Sequence, residues 1–346
     1  MGTRITAIEY HLPEDTLTNH QLAQQFSTTA DAIFKLSGVT KRHIAQAGAT
    51  PSDLACLAAE KLFSKHPDDR QRIDTLLFCT EGLDYKAPVT ACIIQHRLQL
   101  STHCLALDIP GGCTGFINGL LIAKSLIESG HSRSVLLLTA ETVSKILHND
   151  DLYLRALFGD GAAATLITPS TANHIGHFVT GTDGSGEKAL WVERSGVRNP
   201  PDLDWMTTHQ ANNQGLRCGR LHMQGDAIMH FALTRVPQLI RDTLAINQDF
   251  LATTAQHSTE DSIDFYLFHQ ASHVILKALQ RKCRLPKERF VHDLADHGNT
   301  VSSSIPIALC HLMQTPHKND FKVLLAGFGV GFSWGATIVQ ISAKHA

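Results

Sequence analysis

One thiol, one imidazole and one carboxamide could build a nucleophilic site in this chain: Cys113, His269 and Asn299. A thiolate attacks electron-poor carbon readily, while imidazole and amide N–H groups serve as donors beside it. A faint internal duplication relates the three positions. In the first half, Ile73-Asp74-Thr75-Leu76-Leu77-Phe78 leads to Leu105-Ala106-Leu107-Asp108, then Gly111-Gly112-Cys113, then Val135-Leu136-Leu137-Leu138. In the second half, Ile263-Asp264-Phe265-Tyr266-Leu267-Phe268 leads to Phe290-Val291-His292-Asp293, then His297-Gly298-Asn299, then Lys322-Val323-Leu324-Leu325. His269 follows the run that matches the one before Cys79, and Asn299 falls in the loop that matches the Cys113 loop. Equivalent loops of two like halves can converge on one site.

The surroundings of Cys113 point to a nucleophile. Gly111 and Gly112 let the backbone turn tightly after a strand. Phe116, Ile117, Leu120, Leu121, Lys124, Leu126 and Ile127 then follow at helical spacing, with Gly130 as a stop. Cys113 therefore opens a buried helix, where unpaired N–H groups and the positive dipole end favour a thiolate. The plainer alternative is a small apolar residue packed under a helix start. His269 closes an apolar strand, and the carboxyl ends of strands are where sites in α/β folds gather; a structural histidine is its alternative. Asn299, between Gly298 and Thr300, could instead cap the following helix.

The elements that must position these residues alternate in type. Strands are predicted over 3–9, 73–79, 104–108, 134–140 and 162–167, and helices over 88–98 and 113–129. The second half adds helices over 224–246, 270–283 and 300–313 and strands over 263–268, 289–292, 321–327 and 333–342. Such alternation argues an α/β fold with mixed sheets. The stretch from Gly181 to Asn213, rich in Gly, Asp, Asn and Pro, reads as a seam or functional loop.

Composition narrows the function. With 346 residues, 43% hydrophobic and 18% charged, the chain can bury a large core. A formal net charge of −2 and no run of like charges leave nucleic acid without an attracting field. No apolar run reaches membrane-spanning length, so a soluble, cytoplasmic protein with no membrane partner is expected. Met1-Gly2-Thr3-Arg4-Ile5-Thr6 matches the loose myristoylation pattern, but a buried first strand from Thr3 to Glu9 is the favoured reading, since short patterns recur by chance. The eight cysteines contain no Cys-x-x-Cys pair, which disfavours zinc or a disulfide framework. His269 and His273 have the spacing of two zinc ligands, yet Gln270 stands where zinc-protease chemistry needs a glutamate. No metal and no cofactor are expected.

Five motifs in register carry a family resemblance. Gly112-Cys113-Thr114-Gly115-Phe116, Phe158-Gly159-Asp160-Gly161-Ala162, His269-Gln270-Ala271, Gly298-Asn299-Thr300 with Ser304-Ile305-Pro306-Ile307-Ala308-Leu309, and Gly327-Phe328-Gly329 through Trp334-Gly335-Ala336 resemble the β-ketoacyl-acyl-carrier-protein synthase III group. These are thiolase-fold condensing enzymes. The resemblance implies two βαβαβαββ halves, 1–170 with the nucleophile and 171–346 with His and Asn, in a five-layered αβαβα arrangement. It implies an acyltransferase, a homodimer, and acyl carrier protein or acyl-coenzyme A thioesters as partners. By the resemblance Cys113 accepts the acyl group, while His269 and Asn299 bind a malonyl-type thioester that loses carbon dioxide and condenses. The backbone N–H groups of Cys113 and Val330 would form the oxyanion hole, and Ala87, Phe328 and Ser272 would contact substrate.

Departures from the family pattern bear on the substrate. Ala32 and Leu152 replace the tryptophan and arginine that hold the adenine of coenzyme A; Leu36 and Val274 replace arginines, and Ser272 replaces an asparagine that contacts pantetheine. Acetyl-coenzyme A priming is therefore not expected. Ala87 stands where a phenylalanine commonly reaches into the partner's acyl pocket, and a small residue leaves room for a longer or bulkier chain. A specialised synthase of secondary metabolism is expected, with a cyclohexanedione- or dialkylresorcinol-forming branch as one option. Transfer to an alcohol or amine is an alternative, as is a non-catalytic partner subunit. Gly327-x-Gly329-x-Gly331 also matches a dinucleotide motif, but the residues after it read as a strand instead of the helix that motif needs.

Overall fold

The computed structural model describes residues 2–200, 219–251 and 262–343. Its main framework is two sheets. The first runs in spatial order Gly2–His11, Gly161–Ser170, Val135–Glu141, Thr75–Cys79 and Leu105–Ile109. Thr75–Cys79 pairs parallel with both Leu105–Ile109 and Val135–Glu141. The second runs Phe265–Phe268, Phe321–Gly329, Ser333–Ile341 and Val179–Thr182. Its parallel pair is Phe265–Phe268 on Phe321–Gly329.

Side-chain alternation along the strands builds the layers, because successive residues face opposite sides of a sheet. Leu77, Val135 and Leu137 face inward with Phe116, Ile117 and Leu120 of helix Gly115–Glu128. Val323, Leu325 and Val339 face the same core from the other sheet, with Ile305, Ala308 and Leu309 of helix Ser304–Gln314. The opposite faces bury Leu76, Phe78 and Leu136 under helices Pro51–Lys65 and Thr90–Arg97. Tyr266, Phe268 and Leu324 are buried likewise under helices Gly225–Ile246 and His273–Lys282. Two central helices between two sheets, covered on both outer faces, make five layers. Burying each such Leu or Ile is worth about 1.5–3 kcal/mol.

Most predicted elements are present within a few residues of their expected ends. The strand predicted over 289–292 is not: Phe290 forms only an isolated parallel bridge to Tyr266, with Val291 N–H donating to the Tyr266 carbonyl at 3.0 Å. The helix predicted from 270 begins at His273, because Ser272 caps it by accepting from Ile275 N–H. The loop from Gly181 to Asn213 contains a short strand, Leu190–Val192, paired with Leu221–Met223; its part beyond residue 200 lies outside the described residues, as do Met1 and Cys218. No helix among the described residues is long and apolar enough to cross a membrane.

Candidate active site

Cys113 sits in a 3-10 turn, Gly112–Thr114, that opens the central helix Gly115–Glu128. The turn needs glycine on both sides of the sulfur. Gly112 has φ +42°, and a Cβ there would lie 2.6 Å from Val330 Cγ1 and 2.8 Å from Glu81 Oε1. A Cβ on Gly329 would stand 2.7 Å from both Cβ and Sγ of Cys113. Glycine at these two positions leaves room for the thiol and for the Val330 and Glu81 side chains beside its turn.

The sequence led to an expected thiolate, and the structure corrects this. Burial pushes the Cys113 thiol up to about 12; the N–H groups of Val330 and of Cys113 itself pull the other way, and the nearby Glu81 and Glu141 carboxyls add to the rise. Burial disfavours the charged form of the sulfur, and the rise favours the thiol form of Cys113. The same two N–H groups address the sulfur, so an oxygen on an atom bonded to it falls within their reach.

His269 closes strand Phe265–Phe268 at its carboxyl end and is buried. Its Nδ1 lies 2.7 Å from Ser304 Oγ, which also accepts from Gln270 N–H at 3.3 Å. The Ser304 hydroxyl can donate to Nδ1 in the tautomer that carries the ring proton on Nε2, and the Val301 backbone also hydrogen-bonds the ring. Burial lowers the imidazole to about 3, so the ring is neutral. Phe328 meets it edge-on, 5.9 Å between centroids.

Asn299 is fixed by its own backbone and side chain. Its N–H donates to the Leu157 carbonyl at 2.9 Å, and its carbonyl accepts from Gly159 N–H at 3.1 Å. Side-chain Oδ1 accepts from Val301 N–H at 2.8 Å, and Nδ2 donates to the Ala271 carbonyl at 3.1 Å. One of the two amide hydrogens remains for a ligand.

Cys113, His269 and Asn299 line a single cavity of about 350 Å³, together with Ser272, Phe328 and Gly329. Leu36 and Val274, 37% and 45% exposed, line it too, so apolar side chains stand where arginines were noted as missing. Cys113 also lines a second cavity of about 510 Å³ with Val143, Ile146, Trp191 and Val330. The nucleophile thus stands between two chambers.

The remaining expected residues fare differently. Val330 lies beside the sulfur. Ser272 lines the first cavity but is buried, capping its helix and hydrogen-bonding Tyr153 of the same cavity wall. Ala87 is exposed beside Pro88 and lines neither cavity of the single chain. Leu152 packs with Leu22, Ile33 and Ala156 as core. His273 faces His292 at 5.5 Å and lies outside the first cavity's lining. Two carboxyl-bearing residues with no motif in the sequence, Glu81 and Glu141, also line the second cavity. The available signal was a charged residue just after one apolar strand and at the end of another.

Residues 107–184 match the model of 3-oxoacyl-[acyl-carrier-protein] synthase III, and residues 253–341 match its C-terminal model. The curated β-ketoacyl-[acyl-carrier-protein] synthase III of Campylobacter curvus is 32% identical over 343 residues, 99% of this chain and 97% of that protein. The chain belongs to the β-ketoacyl-acyl-carrier-protein synthase III family. A crystal structure of a 3-oxoacyl-(acyl-carrier-protein) synthase III superposes with TM-score 0.90 at 39% identity, covering 99% of this chain and 100% of that one. The priming β-ketosynthase of a polyketide pathway superposes with TM-score 0.83 at 25% identity, covering 99% and 96%. As a synthase III relative the chain is a condensing acyltransferase with the thiolase-like fold, and the five layers above are that fold. Within the family frame, the first half brings Cys113 and the second brings His269 and Asn299.

Proposed function

We propose that the enzyme joins two acyl units by decarboxylative Claisen condensation, with Cys113 carrying the first. The convergence of Cys113, His269 and Asn299 on one cavity carries this reading. The Cys113 sulfur attacks the carbonyl of an acyl thioester, and the thiol proton leaves with the departing thiol. A malonyl- or β-ketoacyl-type thioester then binds with its carbonyl oxygen toward His269 Nε2–H and the spare Asn299 amide hydrogen. For a malonyl unit, the carboxylate departs as carbon dioxide and the electron pair becomes an enolate, held by those two donors. The enolate carbon bonds to the acyl carbonyl, the carbon–sulfur bond breaks, and Cys113 recovers a proton. N–H groups of Cys113 and Val330 hold the oxyanion at both additions; one such donor is worth roughly 3–4 kcal/mol of barrier.

The second cavity, lined by Val143, Ile146 and Trp191, supports a donor longer or bulkier than acetyl. The apolar Leu36 and Val274 support delivery on a carrier protein or other large thioester over grip on coenzyme A phosphates. Edge strand Leu105–Ile109 exposes Leu105 and Leu107 at 45% and 42%, and the nearby loop exposes Leu83 and Tyr85. An apolar sheet edge of this kind supports a homodimer formed across it, in a cytoplasmic enzyme whose halves divide near residues 170 and 171. Polyketide-type secondary metabolism is the setting this suits.

Intact-protein mass spectrometry over a panel of acyl thioesters tests the reading. A donor-specific mass increment is expected on wild type and not on Cys113→Ala, with carbon dioxide released on adding a malonyl thioester. Acylation elsewhere, or transfer to a hydroxyl without decarboxylation, overturns it.

A further inference from the structure

The second cavity holds two carboxyl groups that the condensation does not use. Glu141 ends strand Val135–Glu141, and Glu81 follows its parallel neighbour Thr75–Cys79 by one residue. Parallel strands in this register bring both side chains to one place beside Cys113. Their environments differ. The Glu141 carboxyl is buried, accepts from Ser302 Oγ at 2.7 Å and from Glu81 N–H at 3.2 Å, and is raised to about 8 by burial and by Glu81. The Glu81 carboxyl accepts no hydrogen bond among the described residues, and neither group forms an ion pair there; Lys145, on the same cavity wall, is bound to the Ala45 and Gln46 carbonyls.

Glu81 is exposed by surface area where it fronts the cavity, while the protein packed around it still raises its carboxyl. Burial raises both carboxyls, and a carboxyl accepts when ionised and can donate when protonated. An unsubstituted alkyl chain laid over Glu81 would strip its water and return nothing. An oxygen on the chain would satisfy it. The position of that oxygen follows from Gly112: Glu81 Oε1 lies only 2.8 Å from where a Cβ of the residue preceding the nucleophile would be. It therefore faces the first carbons of a group on the sulfur and not the far end of the chain.

We propose that Glu81, braced by Glu141, is a specificity-determining residue that selects acyl donors carrying an oxygen at C3, as a hydroxyl or a ketone. A 3-hydroxyl donates to the ionised carboxylate; a 3-ketone accepts from the protonated one. This rests on Cys113 carrying the acyl group.

The test compares acylation of the intact enzyme by octanoyl, 3-hydroxyoctanoyl and 3-oxooctanoyl pantetheine thioesters, read by mass increment on Cys113. Wild type is expected to take one or both oxygenated chains at least about tenfold faster than octanoyl, a difference of about 1.4 kcal/mol. In Glu81→Leu the ratio should fall to about one or invert, and in Glu81→Gln, which keeps the shape and some hydrogen bonding, it should lie between. Whichever chain wins names the source of the oxygen. Equal rates for all three chains in wild type, or an unchanged ratio in Glu81→Leu, overturn the inference while acylation itself stands. No acylation by any thioester overturns it together with the reading it rests on.

Discussion

The loop Gly111–Cys113 and its counterpart His297–Asn299 enter the two central helices in the same way. Each has a positive-φ glycine, Gly112 at +42° and Gly298 at +75°, and each passes through a 3-10 turn, Gly112–Thr114 or Val301–Ser303. Their functional side chains end up in opposite conditions. Asn299 has its oxygen and one amide hydrogen bound by Val301 and Ala271, whereas the Cys113 sulfur, addressed by the N–H groups of Val330 and of Cys113 itself, fronts open cavity on two sides. One scaffold, used twice, yields a reactive atom in one copy and a fixed donor in the other, because side-chain hydrogen bonding immobilises a group and its absence leaves it free to bond.

Removing the reactive atom breaks this comparison most severely. Cys113→Ala should abolish the acyl-enzyme and lower condensation by about 10⁴-fold or more, as loss of a nucleophile does, read as product formed per minute and as the missing mass increment. On the donor side, Asn299→Ala should lower decarboxylation by about 10²–10³-fold, the scale of one lost oxyanion donor, while Cys113 still becomes acylated. His269→Ala should behave the same way. If either variant loses acylation as completely as condensation, the division of labour between the loops is wrong.

The two loops were legible in sequence because the duplication set them opposite each other and glycine marked both turns. The strands were legible too, since runs such as Leu76-Leu77-Phe78 and Val323-Leu324-Leu325 are buried on both faces and need no alternation. The 289–292 strand failed because its pairing shrinks to Phe290 alone, and edge pairing is a property of neighbours, not of the segment. Glu81 and Glu141 carry no motif. The raised thiol of Cys113 was hidden for a related cause: the helix dipole is local and visible in the chain, whereas burial, and the charges of Glu81 and Glu141 that add to it, arise only once distant segments are packed around the sulfur.

That correction predicts a pH dependence. A thiol raised to about 12 is almost wholly protonated at neutral pH, so its thiolate fraction grows tenfold per unit. The rate of Cys113 alkylation by iodoacetamide should therefore climb about tenfold per pH unit from 7 to 9, with no plateau. Levelling off below pH 8 would restore the thiolate that the dipole alone suggests.

The smallest effect separates the central helices from the one that follows His269. Neither Gly115–Glu128 nor Ser304–Gln314 has a side-chain cap at its N-terminus, whereas His273–Lys282 is capped by Ser272. The central helices are entered instead through 3-10 turns, in which Gly115 N–H donates to the Gly112 carbonyl and Ser304 N–H to the Val301 carbonyl, and Cys113 lies in the first of these turns. Ser272→Ala should then destabilise the fold by about 1 kcal/mol, which a domain of this size registers as roughly 2 °C in thermal midpoint. Ser272→Asp keeps a capping oxygen and should recover the loss, even as it puts a carboxylate at the wall of the first cavity. A variant pair in which melting follows the cap and acylation follows the added charge assigns Ser272 both duties. Should Ser272→Ala leave the midpoint unmoved, its oxygen serves the cavity and not the helix.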